Sequence, residues 1–468
     1  MSIAGAAAEA GDGLALVAGG RRWTWAELAA DVDLERRRLA TIGALGGPGP
    51  GPPRVAFDAH PDPGGVIRIL ALAEAGTCIV PMDPRLPPAA RLTRLRAIAP
   101  CFDLDAGAWI EARGRTDGGR WIARPGAEHE APAAPLAVLF TSGSTGEPRA
   151  VELSRAAFRA SASASTAHLG WEPGDRWLCC LPLAHVGGLS IVTRCLYGRL
   201  PLVLAAGFDA PEVAGFLERE RVTLASFVPT MLHRLLRADT AWRAPDTLRV
   251  ALMGGAAAGA ELWAEIARRG FPAVETYGMT ETCSQVATAR PDAPRRLVPL
   301  EGVRLRIAGG RIEVGGPILC TRIGDGGTGA AADRWTDDGF LRTGDAGFLE
   351  AGALEVRGRA DATIITGGEN VAPAVVEAAL ARHPAIRRAV VFGIPDPEWG
   401  EVVAAALEPA GHGPRPSARE LHGWLTGLLA PFERPRRIAW LVGLPETPSG
   451  KLDRTAARER CRGDLEGF

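Results

Sequence analysis

Short apolar runs alternate with longer, partly apolar stretches through most of the chain. Residues 54–59 and 78–82 are apolar runs bounded by Gly, Pro and Asp, the pattern of buried strands. Between them, 66–75 is mostly apolar, has helical length and stops at Gly76, and 89–97 predicts another helix. The alternation recurs further on. Strands are expected at 137–140, 177–181, 201–204, 225–228 and 248–253, and helices at 155–167, 186–196, 230–236 and 260–268. Strands that alternate with helices imply parallel α/β layers. Thr24 with Glu27 three residues later is a capping box, so 22–28 reads as a short strand or turn entering a helix.

From 304 to 356 the pattern changes to short strands separated by Gly-Gly turns, which predicts a β-rich subdomain. The C-terminal stretch reads as a separate unit. Pro373 opens a helix that continues over 375–382, and strands are expected at 389–392, 402–407 and 437–442. Ser417 and Glu420 make a second capping box, and Leu421, Trp424, Leu425, Leu428 and Leu429 share one helical face behind it. The break falls near 359–361. The expected architecture is α/β, with a large N-terminal domain (1–360) of layered α/β subdomains plus the β-rich one, and a small, mobile α+β C-terminal domain (361–468).

Composition narrows the function classes. The 468 residues are 47% hydrophobic, enough for a large core, and Lys+Arg 53 against Asp+Glu 54 gives a net charge of −1. That balance argues against a nucleic-acid or anionic-membrane partner, which calls for clustered basic excess. The eight cysteines are scattered with no CxxC pair, so neither a disulfide framework nor a zinc site is expected. No basic residue precedes Arg21, and Glu9 and Asp12 interrupt the apolar N-terminus, unlike a signal peptide. No apolar stretch is long enough to span a bilayer. A reduced, cytoplasmic protein is the expectation, and homo-oligomerisation is compatible with it.

The chemistry begins at Thr141-Ser142-Gly143-Ser144-Thr145-Gly146-Glu147-Pro148-Arg149, which follows the apolar Leu139 and Phe140. Glycines, hydroxyls, successive backbone N–H groups and one cation form a nest for an anion, most naturally a polyphosphate. A Ser/Gly surface turn has the same composition, and the spacing is not that of a P-loop. The second feature is Lys451, the one lysine in the chain. Lysine is a compact point charge on a thin stem, suited to a tight space among several oxygens. Chance survival of a single lysine is the plain alternative.

Five motifs occur in order: the loop 141–149, Tyr277-Gly278-Met279-Thr280-Glu281, Arg342-Thr343-Gly344-Asp345, Gly358-Arg359-Ala360-Asp361 and Gly450-Lys451. Together they resemble the adenylate-forming superfamily of acyl-CoA synthetases, peptide-synthetase adenylation domains and luciferases. The resemblance implies that a carboxylate attacks the α-phosphorus of ATP, and that a thiol then attacks the acyl-adenylate. It assigns the β/γ-phosphates to Thr141, Ser142, Gly143, Ser144, Thr145, Gly146 and Arg149, the Mg²⁺ to Glu281 and the α-phosphate to Thr280. Tyr277 and Gly278 would lie at the adenine, with Gly254, Gly255 and Ala256 leaving it room. Asp345 would take the ribose hydroxyls, with Arg359 nearby. Lys451 would bridge the substrate carboxylate and the adenylate oxygens. Asp361 would be the hinge about which the small domain rotates, withdrawing Lys451 and bringing Gly367, Gly368 and Glu369 in to line a thiol tunnel. The sequence departs from the family pattern at Glu147 and Arg149, where lysines are frequent, at Ala150 for a usual Gly and at Ala362 for a common Asp. Glu147 would weaken ATP binding unless it points outward.

Leu181-Pro182-Leu183-Ala184-His185-Val186-Gly187-Gly188-Leu189-Ser190 with Arg194, and Tyr277 to Thr282 followed by Cys283-Ser284-Gln285, resemble o-succinylbenzoate–CoA ligases of menaquinone biosynthesis. That substrate carries a second carboxylate. Arg194, two to three helical turns after His185, would meet it in the acyl-pocket wall, because an unpaired buried guanidinium is unfavourable. An Arg paired to a protein acid, or reaching outward, is the alternative. His185 would be a pocket gate or simply a packed core histidine. Ala184 and Gly187 are smaller than the family's usual residues and fit a wider pocket for another aryl acid. Arg434, Arg436 and Arg437 form a basic cluster that either meets coenzyme A phosphates or is a solvated face.

The reading is an ATP-, Mg²⁺- and coenzyme A-dependent o-succinylbenzoate–CoA ligase. A ligase for another aryl or acyl acid, a carrier-loading adenylation domain and a non-catalytic nucleotide-binding protein remain as alternatives.

Overall fold

The computed structural model describes residues 2–47, 51–111, 121–125, 134–142, 148–256, 258, 260–324, 332–359, 364–371, 373–411, 413–445 and 454–467. Two sheets organise the N-terminal part. In the first, Leu14–Ala18, Leu202–Leu204, Trp177–Cys179, Leu224–Phe227, Val250–Met253 and Ala273–Met279 run parallel, side by side. In the second, Cys101–Asp103, Arg54–Asp58, Cys78–Met82 and Pro135–Ser142 run parallel, and Pro135–Ser142 then turns back into an antiparallel hairpin with Pro148–Ser154. These strands are nearly continuous apolar runs because both faces are covered.

Helices Trp25–Thr41, Pro63–Glu74, Arg155–Leu169 and Val186–Gly198 contribute to one buried cluster with side chains of both sheets, including Phe57, Ile69, Phe158, Trp177 and Ile191. They form the layer between the sheets. Ala210–Arg219, Pro229–Ala238 and Ala260–Arg269 cover the outer face of the first sheet around Phe227, Leu232 and Trp263. Pro88–Ala97 covers the second sheet through Leu95. The Thr24–Glu27 capping box forms as expected, with Glu27 N–H donating to Thr24 Oγ1 at 3.2 Å and the Glu27 carboxylate accepting from Thr24 N–H at 2.8 Å.

The β-rich stretch is not a detached subdomain. Ala273–Met279 leaves the parallel register and continues antiparallel through Ser284–Arg290 and Ala293–Pro299 to Ala353–Arg359, Leu341–Glu350 and Arg311–Gly315. One continuous strand path thus joins the doubly covered sheet to the antiparallel meander. Gly278 sits at the crossover, where a Cβ would lie 1.6 Å from the Ser284 carbonyl oxygen, so only glycine fits.

The C-terminal unit is a small mixed sheet. Ile386–Asp396 pairs antiparallel with Gly400–Pro409, which pairs parallel with Arg437–Trp440. Helices Pro373–Leu380 and Ala418–Leu425 pack on one face through Val376, Leu380, Leu421 and Leu425. Helix Arg454–Arg460 closes the other face through Ala457. The helix behind Ser417 stops at Leu425, earlier than the apolar face through Leu429 suggests; Gly427 and Pro431 interrupt the pattern. The expected boundary at 360/361 lies outside the described residues.

Candidate active site

The phosphate loop is carried by a hairpin. Thr141 stands opposite Arg149 and Ser142 opposite Pro148, so the two strands deliver both ends of the loop to one place. Gly143, Ser144, Thr145, Gly146 and Glu147 lie outside the described residues, as do the side chains of Ser142 and Pro148. Beside this hairpin, Thr280–Thr282 forms a single 3₁₀ turn after the strand Ala273–Met279. Thr282 Oγ1 accepts the Met279 N–H at 3.1 Å and pins the turn. Glu281 is buried on it, at 7% exposure, and its Oε1 accepts from Arg334 Nη2 at 2.9 Å. Its backbone carbonyl accepts the Cys320 N–H at 2.8 Å, and the next residue, Thr321, donates its N–H to the Glu152 carbonyl of the hairpin at 2.9 Å. Glu281 is therefore linked by backbone to the strand that bears Arg149. One buried carboxylate beside a loop of phosphate-binding composition suits Mg²⁺, which takes few protein ligands and completes its shell with water and phosphate.

The residues expected at the nucleoside come from separate strands of one sheet path. Tyr277 OH donates to Asp345 Oδ2 at 2.8 Å. Asp345 is buried, and its N–H donates to Thr343 Oγ1 at 3.2 Å, while Thr343 Oγ1 donates to the Ile312 carbonyl at 2.8 Å. Asp345 also stands opposite Arg359 in the strand register. Gly254, Gly255 and Ala256 follow the strand Val250–Met253, and Gly254 N–H donates to the Phe227 carbonyl at 3.1 Å. The structure thus brings the Tyr277 hydroxyl onto the Asp345 carboxylate from distant strands of one sheet path, with Arg359 opposite Asp345 on the next strand.

Arg194, expected at the acyl pocket, lies in helix Val186–Gly198 and is 2% exposed. Its Nη2 donates to Ser161 Oγ at 3.3 Å, and its guanidinium lies over the Trp177 ring at 5.7 Å. Ser161 Oγ in turn donates to the Cys283 carbonyl at 2.8 Å, two residues beyond Glu281. Arg194 has no carboxylate partner among the described residues, and its buried Nε has no hydrogen-bond partner there. Burial pushes its pKa down to about 10, so it is charged at neutral pH with no counter-ion among the described residues. The alternative of an Arg paired to a protein acid is not what the described residues show.

His185 precedes the same helix. Its Nε2 is 3.5 Å from Glu369 Oε2 and 3.7 Å from Asp83 Oδ2. The Glu369 charge raises the imidazole pKa against the opposing effect of burial, with Asp83 adding to the rise. Burial alone would raise the Asp83 carboxyl, but His185 and Arg85 outweigh it and hold it well below the carboxylate range. Arg85 grips Asp83 through Nε–Oδ1 at 2.9 Å and Nη2–Oδ2 at 2.6 Å, and reaches Glu369 at 3.5 Å. Asp83 and Arg85 carried no local signal; they follow a strand in an ordinary Asp-Pro turn, and only the fold sets them beside His185.

Glu369 arrives from the C-terminal unit. Ile364–Thr366 and Glu369–Val371 form a hairpin closed by Gly367 and Gly368, with φ of +59° and +84°. Two central residues with positive φ make the tight turn that glycine favours. A Cβ on Gly368 would come within 2.4 Å of Val228 Cγ1, and Gly368 O lies near Gly255. The hairpin tip therefore sits flush on the N-terminal domain beside Gly255. Arg234 of that domain pairs with Glu398 at 2.6 Å, and Trp399 is covered by Arg234 and Arg436, at 4.5 and 3.5 Å to its ring centre. Arg434 is engaged in capping, donating to the Leu429 carbonyl at 3.1 Å. Asp361 and Lys451 lie outside the described residues.

These features agree with the matches to known proteins. The model of the AMP-binding enzyme family matches residues 3–317, and that of the AMP-binding enzyme C-terminal domain matches 375–451. The 2-succinylbenzoate–CoA ligase of Bacillus pumilus is 37% identical over 347 residues, covering 70% of this chain and 69% of that protein. The Bacillus subtilis ligase is 35% identical over 344 residues, with 70% and 69% covered. Among solved structures, a double mutant of the Bacillus subtilis o-succinylbenzoate–CoA synthetase bound to a product analogue superposes with a TM-score of 0.84 at 29% identity, covering 99% of this chain and 98% of that one. The same enzyme bound to its acyl-adenylate intermediate gives 0.67 at 29% identity, over 100% and 98%. The chain belongs to the AMP-binding, adenylate-forming enzymes, in the family of the 2-succinylbenzoate–CoA ligases.

Proposed function

We propose that this protein activates o-succinylbenzoate with ATP as the acyl-adenylate and transfers the acyl group to coenzyme A. The observation that carries the substrate is Arg194, a charged, buried guanidinium with no carboxylate partner among the described residues, hydrogen-bonded through Ser161 to the segment beyond Glu281. The carboxylate of the substrate that is not activated would supply the missing counter-ion. His185, at the N-terminus of the same helix, borders the pocket on the side where the C-terminal hairpin docks.

In the first half-reaction, Thr141 to Gly146 and Arg149 hold the β/γ-phosphates, and Thr280 touches the α-phosphate. Glu281 would hold Mg²⁺, which would offset negative charge on the departing pyrophosphate. Tyr277 and Gly278 position the adenine, with Gly254, Gly255 and Ala256, while Asp345 and Arg359 position the ribose. Lys451 neutralises charge as it moves between the attacking carboxylate and the adenylate oxygens. Placement and charge neutralisation supply most of what such a transfer needs.

In the second half-reaction, rotation about Asp361 removes Lys451 and docks Gly367 and Gly368. The arrangement described above has that hairpin docked, and it superposes better on the relative bound to a product analogue than on the same relative bound to the adenylate. The pantetheine thiol would enter alongside the docked hairpin, attack the acyl carbon and expel AMP. Arg436 and Arg434 lie on the C-terminal side of this entrance, where coenzyme A phosphates would pass.

A cytoplasmic setting fits the eight cysteines, all free and buried. Among the described residues no helix is long and apolar enough to cross a membrane. The test is mass-spectrometric detection of the coenzyme A thioester with ATP, Mg²⁺ and a panel of o-succinylbenzoate, benzoates, phenylpropionates and fatty acids. Preference for o-succinylbenzoate supports the reading. Preference for another acid, favoured by the small Ala184 and Gly187, would replace the substrate and keep the two steps.

A further inference from the structure

Arg334 belongs to none of the sequence motifs, yet its guanidinium meets the carboxylate assigned to Mg²⁺. Nη2 donates to Glu281 Oε1 at 2.9 Å, and the side chain is 17% exposed. Its Nε is buried and has no hydrogen-bond partner among the described residues. A guanidinium offers five N–H donors in a fixed fork, and a buried donor left unpaired is unfavourable. The backbone around it is held in place: Arg342 Nη1 donates to the carbonyls of Asp333 and Trp335 at 3.0 and 2.8 Å, one on each side of Arg334. The strand Arg322–Gly324, from which the chain runs on toward Arg334, pairs with Pro148–Ser154, Ile323 opposite Val151. Arg334 is thereby tied, through Glu281, to the hairpin that carries the phosphate loop.

Charge separates a plain ion pair from a ligand role. The stretch 141–149 offers a single cation, Arg149, and also an acid, Glu147. A triphosphate brings several negative charges. When Glu281 turns an oxygen to a metal ion, the guanidinium beside it loses its counter-charge while one donor is already unpaired. An anion satisfies both needs.

We propose that Arg334 is a pyrophosphate-side binding residue: it holds Glu281 in place before nucleotide arrives, and with Mg·ATP bound it donates from its free edge to the β/γ-phosphate oxygens and the departing pyrophosphate. This rests on the adenylate-forming reading and not on the identity of the acid.

The test is calorimetric titration of the full-length protein with α,β-methylene-ATP plus Mg²⁺, a triphosphate that cannot be cleaved at the α-phosphorus, and separately with AMP. Arg334→Gln should raise the Kd for the triphosphate about tenfold or more, the loss expected of a charge-assisted contact, and leave that for AMP within about twofold. Arg334→Lys, which keeps the charge, should recover most of the loss. Three results would overturn the role. Unchanged triphosphate affinity in Arg334→Gln would mean no contact. Tighter binding would mean that Arg334 only competes with the metal ion for Glu281. Equal weakening for triphosphate and AMP, unrelieved by lysine, would mean a packing role. A wild-type protein that binds both nucleotides but makes no thioester with o-succinylbenzoate would overturn the substrate assignment and leave this outcome readable.

Discussion

Replacing Arg194 by Met tests the substrate assignment with a sign that a structural arginine would not give. Burial takes its guanidinium from the ordinary arginine value down to about 10. At about 1.4 kcal/mol per pH unit, that corresponds to roughly 3 kcal/mol by which the charged form is disfavoured in the free protein. One hydrogen bond to Ser161 and stacking on Trp177 only partly offset this, since Nε has no partner among the described residues. Methionine fills similar space without the charge, so the free variant should be as stable as the parent or more so, by up to about 1–3 kcal/mol. A bound second carboxylate forms charge-assisted hydrogen bonds that contribute about 1.5–3 kcal/mol. Its loss should therefore lower kcat/KM for o-succinylbenzoate by roughly 10- to 150-fold. The analogue without the ring carboxylate, 4-oxo-4-phenylbutanoate, should change by less than about threefold. The assay is steady-state thioester formation on both acids, beside thermal unfolding. Equal losses on both acids, or a variant that unfolds earlier and is poor on everything, would refute the reasoning.

Other residues separate the two half-reactions. Gly368→Ala puts a methyl group within 2.4 Å of Val228 Cγ1 at a residue with φ of +84°; thioester formation from supplied adenylate should fall about tenfold or more while adenylate formation persists, and equal loss of both would contradict the docking role. Lys451→Ala should abolish adenylate formation and spare ATP binding, and unchanged adenylation would remove Lys451 from the mechanism. His185 has a raised pKa in the docked arrangement, chiefly from Glu369. Its stabilising charge is fully present below the ordinary histidine value of about 6.5 and is lost as pH rises through the raised value. Glu369→Gln should move that decline in docking-dependent thioester formation to lower pH, read as the ratio of variant to wild-type rate against pH; a flat ratio would show that the pair does not control docking.

The alternation of apolar runs located the layered α/β architecture because buried parallel strands need apolar residues on both faces, and most predicted elements form within a few residues of their expected ends. The meander after 304 was legible as short strands, but not its continuity with the parallel sheet. That continuity depends on the 273–279 strand exchanging a parallel partner for an antiparallel one, which no local pattern records. Tyr277, Glu281 and Asp345 were legible through their motifs, whereas the pairing of Glu281 with Arg334 was not: 53 positions separate the two, and one arginine among many carries no local signature. The network of Asp83, Arg85, His185 and Glu369 was hidden for the same reason, with its members drawn from both structural units. Arg194 was legible in type and position, and the fold added the decisive fact that no described carboxylate neutralises it.

The most direct test of the central claim is a single-turnover competition on the wild-type protein. Equal amounts of o-succinylbenzoate and 4-oxo-4-phenylbutanoate would be mixed with ATP, Mg²⁺ and coenzyme A, and both adenylates and both thioesters quantified by mass spectrometry. The account predicts adenylate followed by thioester, with the diacid favoured by about tenfold or more, as one buried charge pair implies. Equal use of the two acids, or adenylate that never becomes thioester, would contradict it.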